Sequence, residues 1–180
     1  MIVIIKSFTL FIYRIYGICP LRRSFSEASR ICSILCRKEN PMVERTVVLI
    51  KPDGMQKHIT GEIITRFEKA GLSVIGLKMV QLTQPILDVW YAHHKDKPFF
   101  ADVCKQMMAT PVAAIVLSGE GAIQKAFDIC GPTDPLEALP GTIRKDFGES
   151  KPKNVVHRSD SVEAAQKEIG LLFGKDEVFG

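Results

Sequence analysis

No window of this 180-residue chain approaches the roughly eighteen uninterrupted apolar residues that a membrane-spanning helix needs. Its most apolar stretch, Met1–Pro20, is broken by Lys6 and Arg14. Cysteine is scarce: Cys19, Cys32 and Cys36 precede residue 42, and only Cys104 and Cys130 follow it. An odd count without regular spacing argues against a disulfide framework, and Cys32 and Cys36 lack a second ligand pair at zinc spacing. A reduced intracellular compartment is the reading that remains. An excess of one charge is also missing once the chain is divided. Residues 1–41 hold seven Lys/Arg against Glu27 and Glu39, which leaves 17 basic residues against 18 acidic ones beyond. A near-neutral domain is no electrostatic binder of nucleic acid by default, so any phosphate chemistry must come from a local cluster.

Familiar phosphate motifs are absent as well. There is no G-x-x-x-x-G-K-[ST] loop, and Gly119-x-Gly121 is too short for a dinucleotide motif. Protein-kinase and serine-hydrolase signatures are lacking, as are internal repeats and low-complexity tracts. What is present is an ordinary globular composition, 46% hydrophobic and 24% charged. A domain of this size buries roughly two-thirds of the surface its unfolded chain exposes, enough for an independent core.

Residues 1–41 are set apart from the domain, taken as 42–180. Arg and Ser with few acids through Ser24–Lys38 resemble a mitochondrial transit peptide. The apolar start is a poor signal peptide, because no clean small-residue cleavage site follows it. Ordered patterning begins directly after Met42, so the favoured reading is that translation starts there and residues 1–41 are an upstream-start artefact. The expected compartment is then cytoplasmic, with mitochondrial as the alternative if the segment is a transit peptide.

Within the domain, Arg45–Ile50 is rich in β-branched residues and stops at the turn signal Lys51-Pro52-Asp53-Gly54. Thr60 is positioned to cap a helix with Ile63, Ile64, Phe67 and Ala70 on one face, closed by Gly71. Leu72–Leu82 reads as a strand, Pro85–His93 and Phe99–Met108 as short helices, and Val112–Leu117 as a buried strand. A helix follows from about Glu120 to Ile129. Gly131–Lys153, with Pro132, Pro135, Pro140, Gly141 and Pro152, is too punctuated for regular structure, and loops of that length are usually functional. Asn154–His157 is a short strand. Asp160, with Glu163 three residues on, is expected to cap a last helix whose inner face is Val162, Ala165, Ile169 and Leu172. This order predicts an α+β fold of the ferredoxin-like, split βαβ kind: a four-stranded antiparallel sheet with helices on one face and a long loop before the last strand.

His157 is the outstanding candidate for chemistry. It follows Val155-Val156 and precedes Arg158-Ser159-Asp160-Ser161 at a helix start, where backbone N–H groups and a positive helix end suit an incoming phosphate. Imidazole is nucleophilic near neutral pH and can accept and release a phosphoryl group. Taken alone, a histidine at a strand end is more often a satisfied structural residue.

Four motifs in order change that weighting: Lys51-Pro52-Asp53-Gly54, Lys97-Pro98-Phe99-Phe100, Pro140-Gly141-Thr142-Ile143-Arg144 and Asn154-Val155-Val156-His157-x-Ser159-Asp160-Ser161. From about Val43 to Phe173 the chain closely resembles the nucleoside diphosphate kinase family. The resemblance implies a ping-pong enzyme that moves the terminal phosphate of a nucleoside triphosphate to a nucleoside diphosphate through phospho-His157. It implies Glu168 as the carboxylate orienting the imidazole, with Ser159 beside that pair. Lys51 and Asn154 match residues that bind sugar hydroxyls, Lys51 also reaching phosphate. Thr133 and Arg144 match phosphate contacts, Tyr91 a tyrosine near the transferred group, and Phe99 the aromatic on which the base stacks. Mg²⁺ is implied, held mainly by nucleotide and water, with Asp160 reaching it at most through water. A homohexamer or homotetramer is implied too, and neither a membrane nor a nucleic acid is expected as a partner. Trp90 and Phe100 read as packing.

The pattern also departs from the family. Phe127 stands where an arginine that contacts phosphate is usual, Arg158 where a small residue is usual, and Lys145 where glycine is; Pro152 is atypical. The competing reading is therefore a catalytically weakened member acting as an interaction module, with Arg158 a candidate for part of the charge that Phe127 cannot supply. A ferredoxin-like RNA binder is a third reading, but the aromatic RNA-binding signature and a basic stripe are missing.

Overall fold

The computed structural model describes residues 43–92 and 95–180; the leader, residues 1–41, lies outside the described residues. Strand β1 (Val43–Ile50) is followed by α1 (Pro52–Gln56), α2 (Thr60–Lys69) and β2 (Ser73–Val80). Helices α3 (Gln84–Trp90) and α4 (Phe100–Met107) lead to β3 (Val112–Glu120) and α5 (Ala122–Cys130). Helix α6 (Ile143–Phe147), β4 (Val156–Arg158), α7 (Val162–Leu172) and a 3₁₀ turn at Lys175–Glu177 complete the order. The strands lie as β2-β3-β1-β4, every pair antiparallel, which is the ferredoxin-like arrangement.

The sheet is covered on both faces, which corrects the expectation of helices on one. Consecutive side chains of a strand point to opposite faces. Val48, Ile50, Ala113, Ile115 and Leu117 meet Ile63 and Phe67 of α2 and Ala122, Ala126 and Cys130 of α5. Val47, Leu49, Val112, Ala114 and Val116 meet Leu87 of α3, Cys104 and Met107 of α4, and Leu172 of α7. Central strands with unbroken buried apolar runs, Val47–Ile50 of β1 and Val112–Leu117 of β3, need two covers, and α3, α4 and α7 form the second.

Local differences have simple causes. Thr60 is the first helical residue of α2 rather than its cap; its hydroxyl lies 3.6 Å from the Met55 sulfur. Ser161, not Asp160, caps α7, its hydroxyl accepting from the Ala164 N–H at 3.1 Å. Asp160 is instead held by Arg158. The long loop contains α6, started by Thr142, whose side chain accepts from the Lys145 N–H. The helix expected over Pro85–His93 spans Gln84–Trp90, and His93 lies outside the described residues.

Candidate functional site

The turn after β1 and the segment before β4 are locked together. Val155 adopts φ +60°, a left-handed conformation that a β-branched residue rarely takes. Two hydrogen bonds hold it there: its N–H donates to Asp53 Oδ2, and its carbonyl accepts from the Lys51 N–H, both at 2.9 Å. Gly54 permits the approach, since a Cβ there would stand 2.8 Å from the Val155 carbonyl oxygen. The contact sets Lys51 beside Asn154, so that Lys51 Nζ donates to Asn154 Oδ1 and to the Pro152 carbonyl, each at 2.8 Å. Asn154 Nδ2 in turn donates to the Thr133 carbonyl at 2.8 Å. Burial pushes the Lys51 ammonium down to about 8, with Asp53 opposing the shift and Arg144 adding to it.

Arg144, on α6, is buried and donates to the Gly131 and Val156 carbonyls at 2.9 and 3.1 Å, while its Nε is buried without a partner. Burial also lowers its guanidinium from the ordinary value. A cation with an unused donor, facing a cleft, is poised for an anion.

Edge strand β4 carries His157 opposite Leu49 of β1. His157 Nε2 lies 2.9 Å from Glu168 Oε1, and Ser159 Oγ donates to Glu168 Oε2 at 2.5 Å. Ser159 Oγ itself accepts from the Val47 N–H at 3.1 Å. A carboxylate only accepts, so Nε2 is the donor in this contact, and in the neutral ring Nδ1 then holds the lone pair. The imidazole also meets Trp90 in a T-shaped contact at a ring separation of 5.1 Å and 84°.

These groups surround one cleft of about 700 Å³. Lys51, Tyr91, Phe99, Thr133, Arg144, Asn154, His157 and Asp160 all line it, whereas Ser159 and Glu168 stand behind His157. Phe99 is exposed at the start of α4. Tyr91 ends α3, and burial, with Glu168 and Cys104 nearby, pushes its phenol up to about 12. Cys104 and Cys130 are buried free thiols, and burial pushes Cys130 up to about 11, so it is no nucleophile. Among the described residues no helix is long and apolar enough to cross a membrane.

Sequence reasoning missed several members of this site, Phe100, Val103 and Met107 of α4 among them. Trp90 packs directly on His157; Gln106 of α4 donates to the Pro152 carbonyl at 3.0 Å, bridging the mouth of the cleft; Lys151 lines its rim. Only the Pro152 anomaly signalled that mouth, and a long-range pair such as Trp90–His157 leaves no local pattern.

An imidazole backed by a carboxylate, in a cleft with Lys51 and Arg144 and without any phosphate loop, fits the class of α+β enzymes that act on phosphate compounds. The comparisons with known proteins agree. The nucleoside diphosphate kinase family model matches residues 44–178. A nucleoside diphosphate kinase of Coxiella burnetii (strain CbuK_Q154) is 50% identical over 137 residues, covering 76% of this chain and 99% of that one. One of Bacillus thuringiensis is 45% identical over 136 residues, covering 76% and 92%. Among solved structures, the Aquifex aeolicus enzyme matches with TM-score 0.73 and 42% identity, over 76% of this chain and 99% of that one. The Halobacterium salinarum enzyme, solved in complex with CDP, matches with TM-score 0.74 and 39% identity, over 76% and 91%. This chain belongs to the nucleoside diphosphate kinase family, and it is an enzyme that transfers phosphate between nucleotides.

Proposed function

We propose that His157 carries the phosphoryl group between a nucleoside triphosphate and a nucleoside diphosphate. The observation that carries this reading is the 2.9 Å contact of Nε2 with Glu168, which leaves Nδ1 as the attacking nitrogen. The Nδ1 lone pair forms a bond to the terminal phosphorus while the bond from that phosphorus to the bridging oxygen breaks. The diphosphate leaves with the electron pair. An oxygen of the second diphosphate's terminal phosphate then attacks, the P–N bond breaks, and Nδ1 regains its lone pair. Throughout, Glu168 holds the Nε2 proton and offsets the positive charge that grows on the ring, and Ser159 fixes Glu168.

The remaining assignments follow position. Arg144, Thr133 and Lys51 bind phosphates; Lys51 and Asn154 bind sugar hydroxyls; Tyr91 stands beside the transferred group. Phe99 offers its face to the base, and stacking accepts any base because each has a π-face. The CDP held by the halobacterial relative is a ligand of this chemistry.

Mg²⁺ fits this cleft as an ion delivered with the nucleotide. Asp160, 85% exposed, is the one carboxylate among the described lining residues, so phosphate oxygens and water supply the other ligands. Once bound, the ion neutralises phosphate charge. We further propose a homo-oligomer, hexameric or tetrameric, supported by exposed Leu77 and Met79 on edge strand β2 and by Leu136 and Leu139 in the long loop. For the compartment we favour the cytoplasm, with mitochondrial import the alternative, which a reporter fused to residues 1–41 separates.

Initial rates with ATP and a second diphosphate varied together test the reading. A carried phosphoryl group gives parallel double-reciprocal lines; intersecting lines mean direct transfer and contradict it.

A further inference from the structure

Alternation along β4 sends Arg158 to the sheet face opposite His157, towards α5. Its guanidinium carbon stands 4.3 Å from the centroid of the Phe127 ring, well within cation–π range. Nη1 donates to Asp160 Oδ1 at 2.6 Å and to the Ser159 carbonyl at 3.3 Å. Nε is buried with no partner. The Arg158 side chain is 9% exposed and its carboxylate partner 85%. The cation is therefore sunk in protein while its counter-charge sits in water, where screening weakens the pair. Because β4 is the sheet edge, this side chain still reaches the cleft that His157, Lys51 and Arg144 line.

We propose that Arg158 binds the phosphate chain of the nucleotide, and that Phe127 is the positioning residue that holds its guanidinium for the task. The ring takes one face of the planar group, which leaves the N–H edges for oxygen acceptors. A flat fork of donors matches phosphate oxygens, whereas a lysine ammonium is a point charge that neither stacks flat on the ring nor presents two parallel N–H groups in one plane. Phe127 is 43% exposed, more than packing alone requires of a phenyl ring, and its partner is a cation rather than the core. The ligand is taken from the phosphoryl-transfer reading above, on which this inference rests.

Calorimetric titration of the whole 180-residue chain with ADP and with AMP tests it, each variant first checked for wild-type melting. Arg158→Gln weakens ADP binding at least about tenfold, the scale of lost charge-assisted hydrogen bonds, and AMP binding much less. Phe127→Leu weakens ADP binding roughly threefold through the lost ring face, and adds nothing once Arg158 is glutamine. Where Arg158→Gln melts early, Arg158→Lys takes its place: charge is kept, the fork is lost, and ADP binding falls at least about threefold. Wild-type ADP affinity in the folded Arg158 variant overturns the proposal, as does a Phe127→Leu loss that survives intact without Arg158. Labelling by γ-labelled ATP at saturation is followed in parallel. A wild-type chain that takes no label sinks the phosphoryl-transfer reading, a failure distinct from either of these.

Discussion

Glu168 Oε1 lies 2.9 Å from Nε2 of His157, while the other oxygen of the same carboxylate takes a hydrogen bond from Ser159. Ser159 is tied through its hydroxyl and its N–H to Val47 of the central strand β1. The ring that faces the cleft is thus anchored, through two side chains, to the most buried part of the sheet. Orientation of His157 is a property of the core, not of a surface loop.

Glu168→Gln and Ser159→Ala separate that chain into its links. Glu168→Gln removes the charge that offsets the ring, and kcat falls about tenfold or more with melting unchanged. Ser159→Ala also leaves the buried Val47 N–H without its side-chain acceptor, so activity falls and stability drops by about 1–2 kcal/mol. Steady-state rates and thermal melts of the two variants check this. Equal stability losses in both mean that Glu168 is structural.

Lys51 predicts a pH dependence. Its folded value near 8 lies below the ordinary 10.5, so between these the unfolded chain holds a proton that the folded chain has lost. This group therefore makes the fold more stable as pH rises from about 8 towards 10.5. The effect on ligand is opposite in sign: phosphate favours the ammonium, so ADP affinity declines above about pH 8 and binding there takes up protons. Calorimetry in buffers of different ionisation enthalpy measures the uptake. Lys51→Gln abolishes it, and an unchanged uptake in that variant assigns the proton elsewhere.

Two glycines form a matched pair. Gly54→Ala drives a Cβ to 2.8 Å from the Val155 oxygen and 2.9 Å from Ile50 Cγ2. It should cost about 1–3 kcal/mol and disturb the Lys51–Asn154 contact, weakening nucleotide binding. Gly170 in α7 has nothing within 4 Å of the same atom, so Gly170→Ala should stabilise by about 0.5–1 kcal/mol. Chemical denaturation of both variants gives the two signs.

Removal of residues 1–41 should leave a soluble, fully active domain, because the four-stranded sheet and the two core clusters seen among the described residues are each built from residues within 43–180. Activity assays and melting of the chain begun at Met42 check this. Loss of folding would mean that the leader belongs to the domain.

Much of the fold and of the candidate cleft's lining was legible. Ordered motifs named Lys51, Arg144, Asn154 and His157, and strand-length apolar runs marked β1 and β3. Choices between equivalent local signals were not legible. Asp160 and Ser161 are both good caps, and only the Arg158–Asp160 contact leaves the cap to Ser161. The second cover of the sheet was hidden because α3 and α4 are short. The meeting of Phe127 with Arg158, and of Trp90 with His157, depends on which strand faces which helix, and a single sequence does not carry such long-range pairs.

Transfer through His157 is tested most directly by incubating the wild-type chain and His157→Ala with γ-labelled ATP and following the protein-bound label. The wild-type chain should take up a label that is lost in acid, kept in alkali and discharged on adding a nucleoside diphosphate, while His157→Ala takes up none. A label of the same chemistry on His157→Ala would contradict the account.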